Sequence, residues 1–193
     1  MGGKRATELL LIRHAPVSVD GRLFGRADVA ADCSDRGRFD RLRAAIGDVD
    51  HVLSSPALRC LQTTRALWPA SPDPQTDGAL WEQDFGRWEG QAYVDLPDLG
   101  SLESAALARH RPPGGESFAD LCARVEPVLM HVASKGGRVA VVAHAGVVRG
   151  ALALAIGSVP LALRFEVAPL SVTRIRALPG GSWAIIGANW TPV

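Results

Sequence analysis

Apolar residues along this chain gather into short runs that stop abruptly, and polar residues stand at the stops. Glu8 to Ile12 is such a run. It ends in Arg13-His14-Ala15-Pro16, as a strand feeding a loop would, and Pro16 bars its continuation. His51 to Ser55 is a second run, closed by Pro56, after which Ala57 to Trp68 has helical character until Pro69. Residues 69 to 78, with three prolines among Ser, Asp and Gly, read as a turn-rich connector. Asp84 to Gly90, rich in Gly and Trp, reads as an ordered loop.

The breaker cluster Arg111-Pro112-Pro113-Gly114-Gly115 precedes Ser117, with Asp120 three residues on, a pattern that predicts an N-cap and a near capping box. A helix follows to about Ser134, with Phe118, Leu121, Val125, Val128, Leu129 and Val132 at helical spacing, and Lys135-Gly136-Gly137 closes it. Arg138 to Ala143 is β-branched and does not alternate, as expected of a strand covered on both faces. It ends in His144-Ala145-Gly146 and a helix to about Ile156. Two further strands are predicted at Leu170 to Ala177 and Trp183 to Ala188, with Pro179-Gly180-Gly181 as the turn between them.

Strand and helix patterns thus alternate along most of the chain, which predicts an α/β fold, a three-layer α/β/α sandwich around a mainly parallel sheet. Residues 1–193 read as one domain, within the rough range of about 100–200 residues. Ligands in such sheets bind beyond the carboxyl ends of the strands. Arg13-His14, Ser54-Ser55 and His144-Ala145 occupy those positions here.

Composition narrows the partners. Lys and Arg number 21 against 20 Asp and Glu, so the net charge is +1 and the basic face of a nucleic-acid binder is not expected. Any anion site is local. Three cysteines, Cys33, Cys60 and Cys122, form neither a disulfide framework nor a Cys-x-x-Cys pair, which points to a reducing, cytoplasmic setting. The apolar run Leu9 to Ile12 is too short for an export signal, and Ala6 breaks the myristoylation pattern. Gly2-Gly3-Lys4 follows no strand and makes no phosphate loop. Asn189-Trp190-Thr191 matches a glycosylation acceptor only formally. Val139 to Leu163 is the most hydrophobic stretch, yet His144, Arg149 and its glycines argue for a buried strand and a core helix rather than a membrane span.

The chemistry rests on the strand ends, where packing would favour Val or Leu. One histidine there is ordinary hydrogen-bonded structure, but two, one of them joined to Arg13, suggest an anion site. Arg59, early in the helix after the second strand, can point back at the same crevice with five fixed donors suited to phosphate.

These residues resemble the histidine phosphatase, or phosphoglycerate mutase-like, superfamily. Leu11-Ile12-Arg13-His14-Ala15 is similar to its signature, and Leu53-Ser54-Ser55-Pro56-Ala57-Leu58-Arg59-Cys60-Leu61-Gln62-Thr63 to its second-arginine motif. Trp81-Glu82-Gln83-Asp84-Phe85-Gly86-Arg87-Trp88-Glu89-Gly90 is similar to its acid loop, and Val142-Ala143-His144-Ala145-Gly146-Val147-Val148-Arg149 to its second-histidine motif. The four stand in the family's order across most of the chain. The resemblance implies that His14 is the nucleophile, that Arg13, Arg59 and His144, with Ala145 beside them, hold the phosphoryl group, and that Glu82 is the general acid and base. It implies no metal and no cofactor. A neutral, oriented imidazole needs its other ring nitrogen donating to a backbone carbonyl, and a leaving-group acid calls for a partly desolvated carboxyl with a raised pKa. Asp84 and Glu89 compete with Glu82 for that role, and the flanking Trp81, Phe85 and Trp88 read either as local core or as a shield against water.

Ala15 replaces the usual Gly, Pro16-Val17 a polar pair, and Asp20 a common Asn. Arg22-Leu23-Phe24-Gly25-Arg26-Ala27-Asp28 resembles the segment after the signature, making Arg22 and Arg26 candidates to grip the rest of the substrate, or simply parts of a solvated loop. Gly114-Gly115-Glu116-Ser117 and the compact length look most like the α-ribazole phosphatase branch, so the expected partner is a small phosphate ester. The alternatives are phosphoglycerate mutase-type transfer, a phosphohistidine protein phosphatase, a non-catalytic phosphate binder, and a metal hydrolase using His14, His144, Glu82 and Asp28, which lacks close ligand spacing. His51, His110 and His131 read as structural or solvated. Scattered apolar positions leave room for a homodimer.

Overall fold

A computed structural model describes residues 5–19 and 21–192, so the Gly2-Gly3-Lys4 start and Asp20 lie outside the described residues. Among the described residues six strands form one sheet: β1 (Thr7–Arg13), β2 (His51–Ser54), β3 (Gln75–Thr76), β4 (Gly137–Ala143), β5 (Val172–Ala177) and β6 (Trp183–Trp190), in the order β3-β2-β4-β1-β5-β6. The pairs β3-β2, β2-β4 and β4-β1 are parallel. The hairpin β5-β6 adds an antiparallel edge beside β1. The sheet is therefore mostly parallel.

The unalternating apolar runs are explained by cover on both sides. Leu9 and Leu11 of β1, with Val139 and Val141 of β4, face one core. Leu10 and Ile12, with Ala140 and Val142, face the other. Side chains two apart share a face, so each strand feeds both cores. The first core is closed by α3 (Ser104–Arg109), α4 (Phe118–Ala133), α5 (Ala145–Ile156) and α6 (Val159–Ala162), and the second by α1 (Arg36–Ile46) and α2 (Leu58–Leu67). Helix α4 starts where its sequence says. Ser117 Oγ accepts from Asp120 N–H at 3.2 Å and Asp120 Oδ2 accepts from Ser117 N–H at 2.7 Å, a full capping box. Such a cap contributes about 1 kcal/mol.

Elements also form where no run announced them. Helix α1 buries only Phe39, Leu42 and Ile46, and is capped by Asp35 accepting from Arg38 N–H. The connector after Pro69 carries the two-residue edge strand β3. Val172, not Leu170, begins β5, because Leu170 has φ 58° and turns the chain. Strand β6 runs past Ala188 to Trp190. Among the described residues no helix is long and apolar enough to cross a membrane.

Candidate active site

Strand register brings the site together. Parallel pairing matches Arg13 with Ala143, so the next residue of each strand, His14 and His144, emerge side by side. His14 N–H donates to Ala143 O at 2.9 Å, and the two rings meet edge to face with centroids 5.2 Å apart. Strand β2 matches Ser54 with Val142, which seats Ser55 next to them. Ser55 Oγ lies 2.9 Å from His144 Nε2, and the buried Cys60 Sγ lies 3.5 Å from the same nitrogen.

The orientation of His14 follows from one contact. Its Nδ1 sits 2.6 Å from Ala15 O, an atom that can only accept, so Nδ1 carries the proton and Nε2 is the ring's lone-pair nitrogen. Ala15 is itself held by its N–H donating to Thr63 Oγ1 at 2.9 Å. His14 is 6% exposed and His144 fully buried. Burial, then the Arg59 guanidinium, pushes the His14 imidazole down to about 3. Burial and then His14 hold His144 well below its usual range. Both rings are neutral at physiological pH.

The cations are fixed by carbonyls rather than carboxylates. Arg59 is 1% exposed; its Nη2 donates to Gly25 O at 2.6 Å and its Nη1 to Ala27 O at 3.0 Å. Arg13 Nη1 donates to Val167 O at 2.7 Å while its buried Nε has no partner among the described residues. Burial pulls the Arg13 guanidinium down from its usual range, opposed chiefly by the Glu82 carboxylate. Arg149, one turn and a half along α5 from His144, donates Nε to Phe165 O at 2.9 Å and is also lowered by burial against Glu82. Among the described residues no carboxylate lies within salt-bridge distance of Arg13, Arg59 or Arg149.

Glu82 is half-buried at the opening of α5, where both its oxygens accept from Gly146 N–H, at 3.1 and 3.2 Å, and Oε1 also accepts from Gln83 N–H at 3.0 Å. The unpaired amides of the first turn of α5 thus fix the direction of the side chain. Its loop is clamped by Arg124 of α4, which donates to Ala79 O, Trp81 O and Glu82 O and to both oxygens of Glu116. Trp81 stacks on His144, at 6.4 Å and 8°, and Arg26 lies over its indole at 5.8 Å. Trp88 stacks instead on His110.

The structure thus gathers Arg13, His14, Arg59, Glu82, His144 and Ala145, the first residue of α5, at the carboxyl edge of the sheet. Arg26 reaches the rim through Trp81, whereas Arg22 is exposed and donates to Gly90 O at 2.7 Å. Asp84 accepts from Gly86 N–H, and Asp28 from Leu58 N–H at the start of α2, which has no side-chain cap of its own. No group of three His, Cys, Asp or Glu side chains converges as metal ligands among the described residues. Ser55 sits at a strand end like the histidines and was legible on that ground. Arg124, Glu116 and Thr63 were not, since their contacts reach across 8 to 48 residues of chain.

An α/β sheet with neutral histidines and guanidinium groups at its carboxyl edge has the chemistry to hold an anionic, phosphoryl-bearing ligand. The chain belongs to the histidine phosphatase superfamily (branch 1), whose family model matches residues 9–191. It is 31% identical over 188 residues to the bifunctional protein Rv2228c of Mycobacterium tuberculosis, covering 89% of this chain and 51% of that protein. It therefore spans about half the length of that curated relative. It is 26% identical over 193 residues to phosphoglycerate mutase-like protein 4 of Arabidopsis thaliana, covering 92% of this chain and 83% of that one. Among solved structures it is similar to a candidate α-ribazole-5'-P phosphatase of Escherichia coli K-12, with TM-score 0.80, 25% identity and coverage of 96% and 97% of the two chains.

Proposed function

We propose that the protein is a metal-independent phosphomonoester hydrolase that works through a phosphohistidine on His14. The observation that carries this reading is the His14 Nδ1 contact to Ala15 O, which leaves a neutral ring with Nε2 as its lone-pair nitrogen near the buried Arg59 and the half-buried Arg13. In the first step Nε2 bonds to phosphorus as the ester P–O bond breaks, and protonated Glu82 gives its proton to the leaving alkoxide. In the second, Glu82 takes a proton from water, whose oxygen bonds to phosphorus as the N–P bond breaks, releasing inorganic phosphate and restoring both groups. Arg13, Arg59 and His144 stabilise the equatorial oxygens, where charge spreads in the transition state.

Arg26, over Trp81, and Arg22, at the far end of the acid loop, would contact the alcohol portion at the rim. The substrate is a small phosphorylated metabolite, and likeness to the Escherichia coli structure makes α-ribazole 5'-phosphate the first to try. The test is turnover of p-nitrophenyl phosphate, α-ribazole 5'-phosphate and phosphoglycerates under a strong chelator, beside His14→Ala and Glu82→Gln. Turnover that survives chelation and vanishes in His14→Ala is expected. Persistent activity in His14→Ala overturns the nucleophile, and isomerisation of phosphoglycerate without phosphate release would favour mutase-type transfer.

A further inference from the structure

Glu89 stands seven residues after Glu82 in the same loop, and its carboxylate does something different. Oε1 accepts from Arg26 N–H at 2.8 Å and from Gly25 and Phe85 N–H at 3.2 Å; Oε2 accepts from Gly25 N–H at 3.0 Å and Ala27 N–H at 3.1 Å. Four backbone amides, three of them consecutive, converge on one side chain, an anion nest filled from within the chain. Saturated in this way, Glu89 is not free to act as a proton donor.

The amides belong to the residues that hold Arg59. Gly25 and Ala27 present their N–H groups to Glu89 and their carbonyls to the Arg59 guanidinium. Two of the five guanidinium N–H bonds are spent on those carbonyls, and the remaining three keep a fixed direction. Phe85 N–H joins the acid loop to the same carboxylate. The loops touch so closely that a Cβ on Gly25 would stand 1.8 Å from Gln83 O and 2.7 Å from Glu89 Oε1. Removing the carboxylate leaves the 25–27 amides without their acceptor and frees the carbonyls that aim Arg59.

We infer that Glu89 is a positioning residue that sets the direction of the Arg59 guanidinium through the Gly25–Ala27 backbone, and thereby the affinity of the site for a phosphoryl group in its transition state. This rests on the hydrolase reading above. The experiment is a double-mutant cycle on Glu89→Gln and Arg59→Ala, read by p-nitrophenyl phosphate kinetics and, separately, by calorimetric binding of orthovanadate. Loss of charge-assisted hydrogen bonds in the nest is expected to lower kcat/KM and vanadate affinity by about 10- to 100-fold in Glu89→Gln. Added to Arg59→Ala, the same change is expected to cost less than about twofold, since residues acting through one another are not additive. Costs that multiply in the double variant, or unchanged vanadate affinity in Glu89→Gln, overturn the inference. Should Glu89→Gln unfold, Glu89→Asp, which keeps the charge at shorter reach, replaces it in the same cycle. Wild-type protein that binds vanadate without turning over any ester removes the hydrolase reading, while the binding cycle still decides the role of Glu89. Wild-type protein that does neither removes both.

Discussion

Replacing Arg124 with Met is expected to destabilise the fold by about 2–4 kcal/mol. Five hydrogen bonds leave with the guanidinium: three to the carbonyls of Ala79, Trp81 and Glu82 and two to Glu116. Breaking a buried ion pair by removing one partner costs about 3–5 kcal/mol, mostly from the charge left behind. The side chains of Arg124 and Glu116 are 21% and 17% exposed, so water reaches the carboxylate left behind, and Arg26 Nη2, 3.9 Å from its Oε1, remains as a countercharge; both trim that figure. Asp84 N–H remains as a donor to Glu116 and trims it further. At about 2–4 °C per kcal/mol for a chain of this length, the melting temperature should fall by roughly 5–15 °C. Urea denaturation with linear extrapolation measures it. Arg124→Met combined with Glu116→Gln should recover part of the loss, because no charge is then stranded. A loss below about 1 kcal/mol for Arg124→Met would refute the clamp as a stability element.

Two further outcomes follow from the same geometry. Unfolded His14 and His144 take up protons near their ordinary value of 6.5, which the folded rings refuse until far lower, about 3 for His14. Stability is therefore complete above pH 6.5 and lost as pH falls from there, with a slope of up to about 1.4 kcal/mol per pH unit for each ring. Denaturation midpoints across that range should show a shallower slope in His14→Ala, and an unchanged slope would contradict the burial argument. In Gly146→Ala the new Cβ would lie 2.2 Å from Glu82 Oε1 and 2.9 Å from Cδ1 of the buried Leu121, so it displaces the carboxylate and also strains the local packing. Turnover of an alkyl phosphate should drop by about tenfold or more, and that of p-nitrophenyl phosphate, whose leaving group needs little protonation, by less. Equal losses on both esters would remove Glu82 from the acid's role.

Much of this arrangement was legible because the sheet imposes a simple rule. Leu9 to Ile12 and Val139 to Val142 are apolar without alternation since each strand feeds two cores. The polar residues that interrupt them then stand out as the site. Helix α4 was legible from Ser117 and Asp120. Helix α1 was not, because its buried face is three residues wide and the rest is Arg, Asp, Gly and Ala. Strand β3 is two residues of an edge, held by β2 more than by its own composition. Roles within the acid loop were open in the sequence, where Glu82, Asp84 and Glu89 are three carboxylates a few residues apart. Only folding separates them, since Glu82 meets α5, Asp84 closes a local turn, and Glu89 collects amides from a segment more than sixty residues away.

The most direct test of the proposed chemistry is to quench the enzyme in alkali during turnover of p-nitrophenyl phosphate and map the modified peptide by mass spectrometry. Phosphoramidates survive alkali and hydrolyse in acid. The expected result is one phosphoryl group on His14, stable in alkali, lost in acid and enriched in Glu82→Gln. Turnover with no phosphoryl group on His14, or with one on another residue, would contradict it.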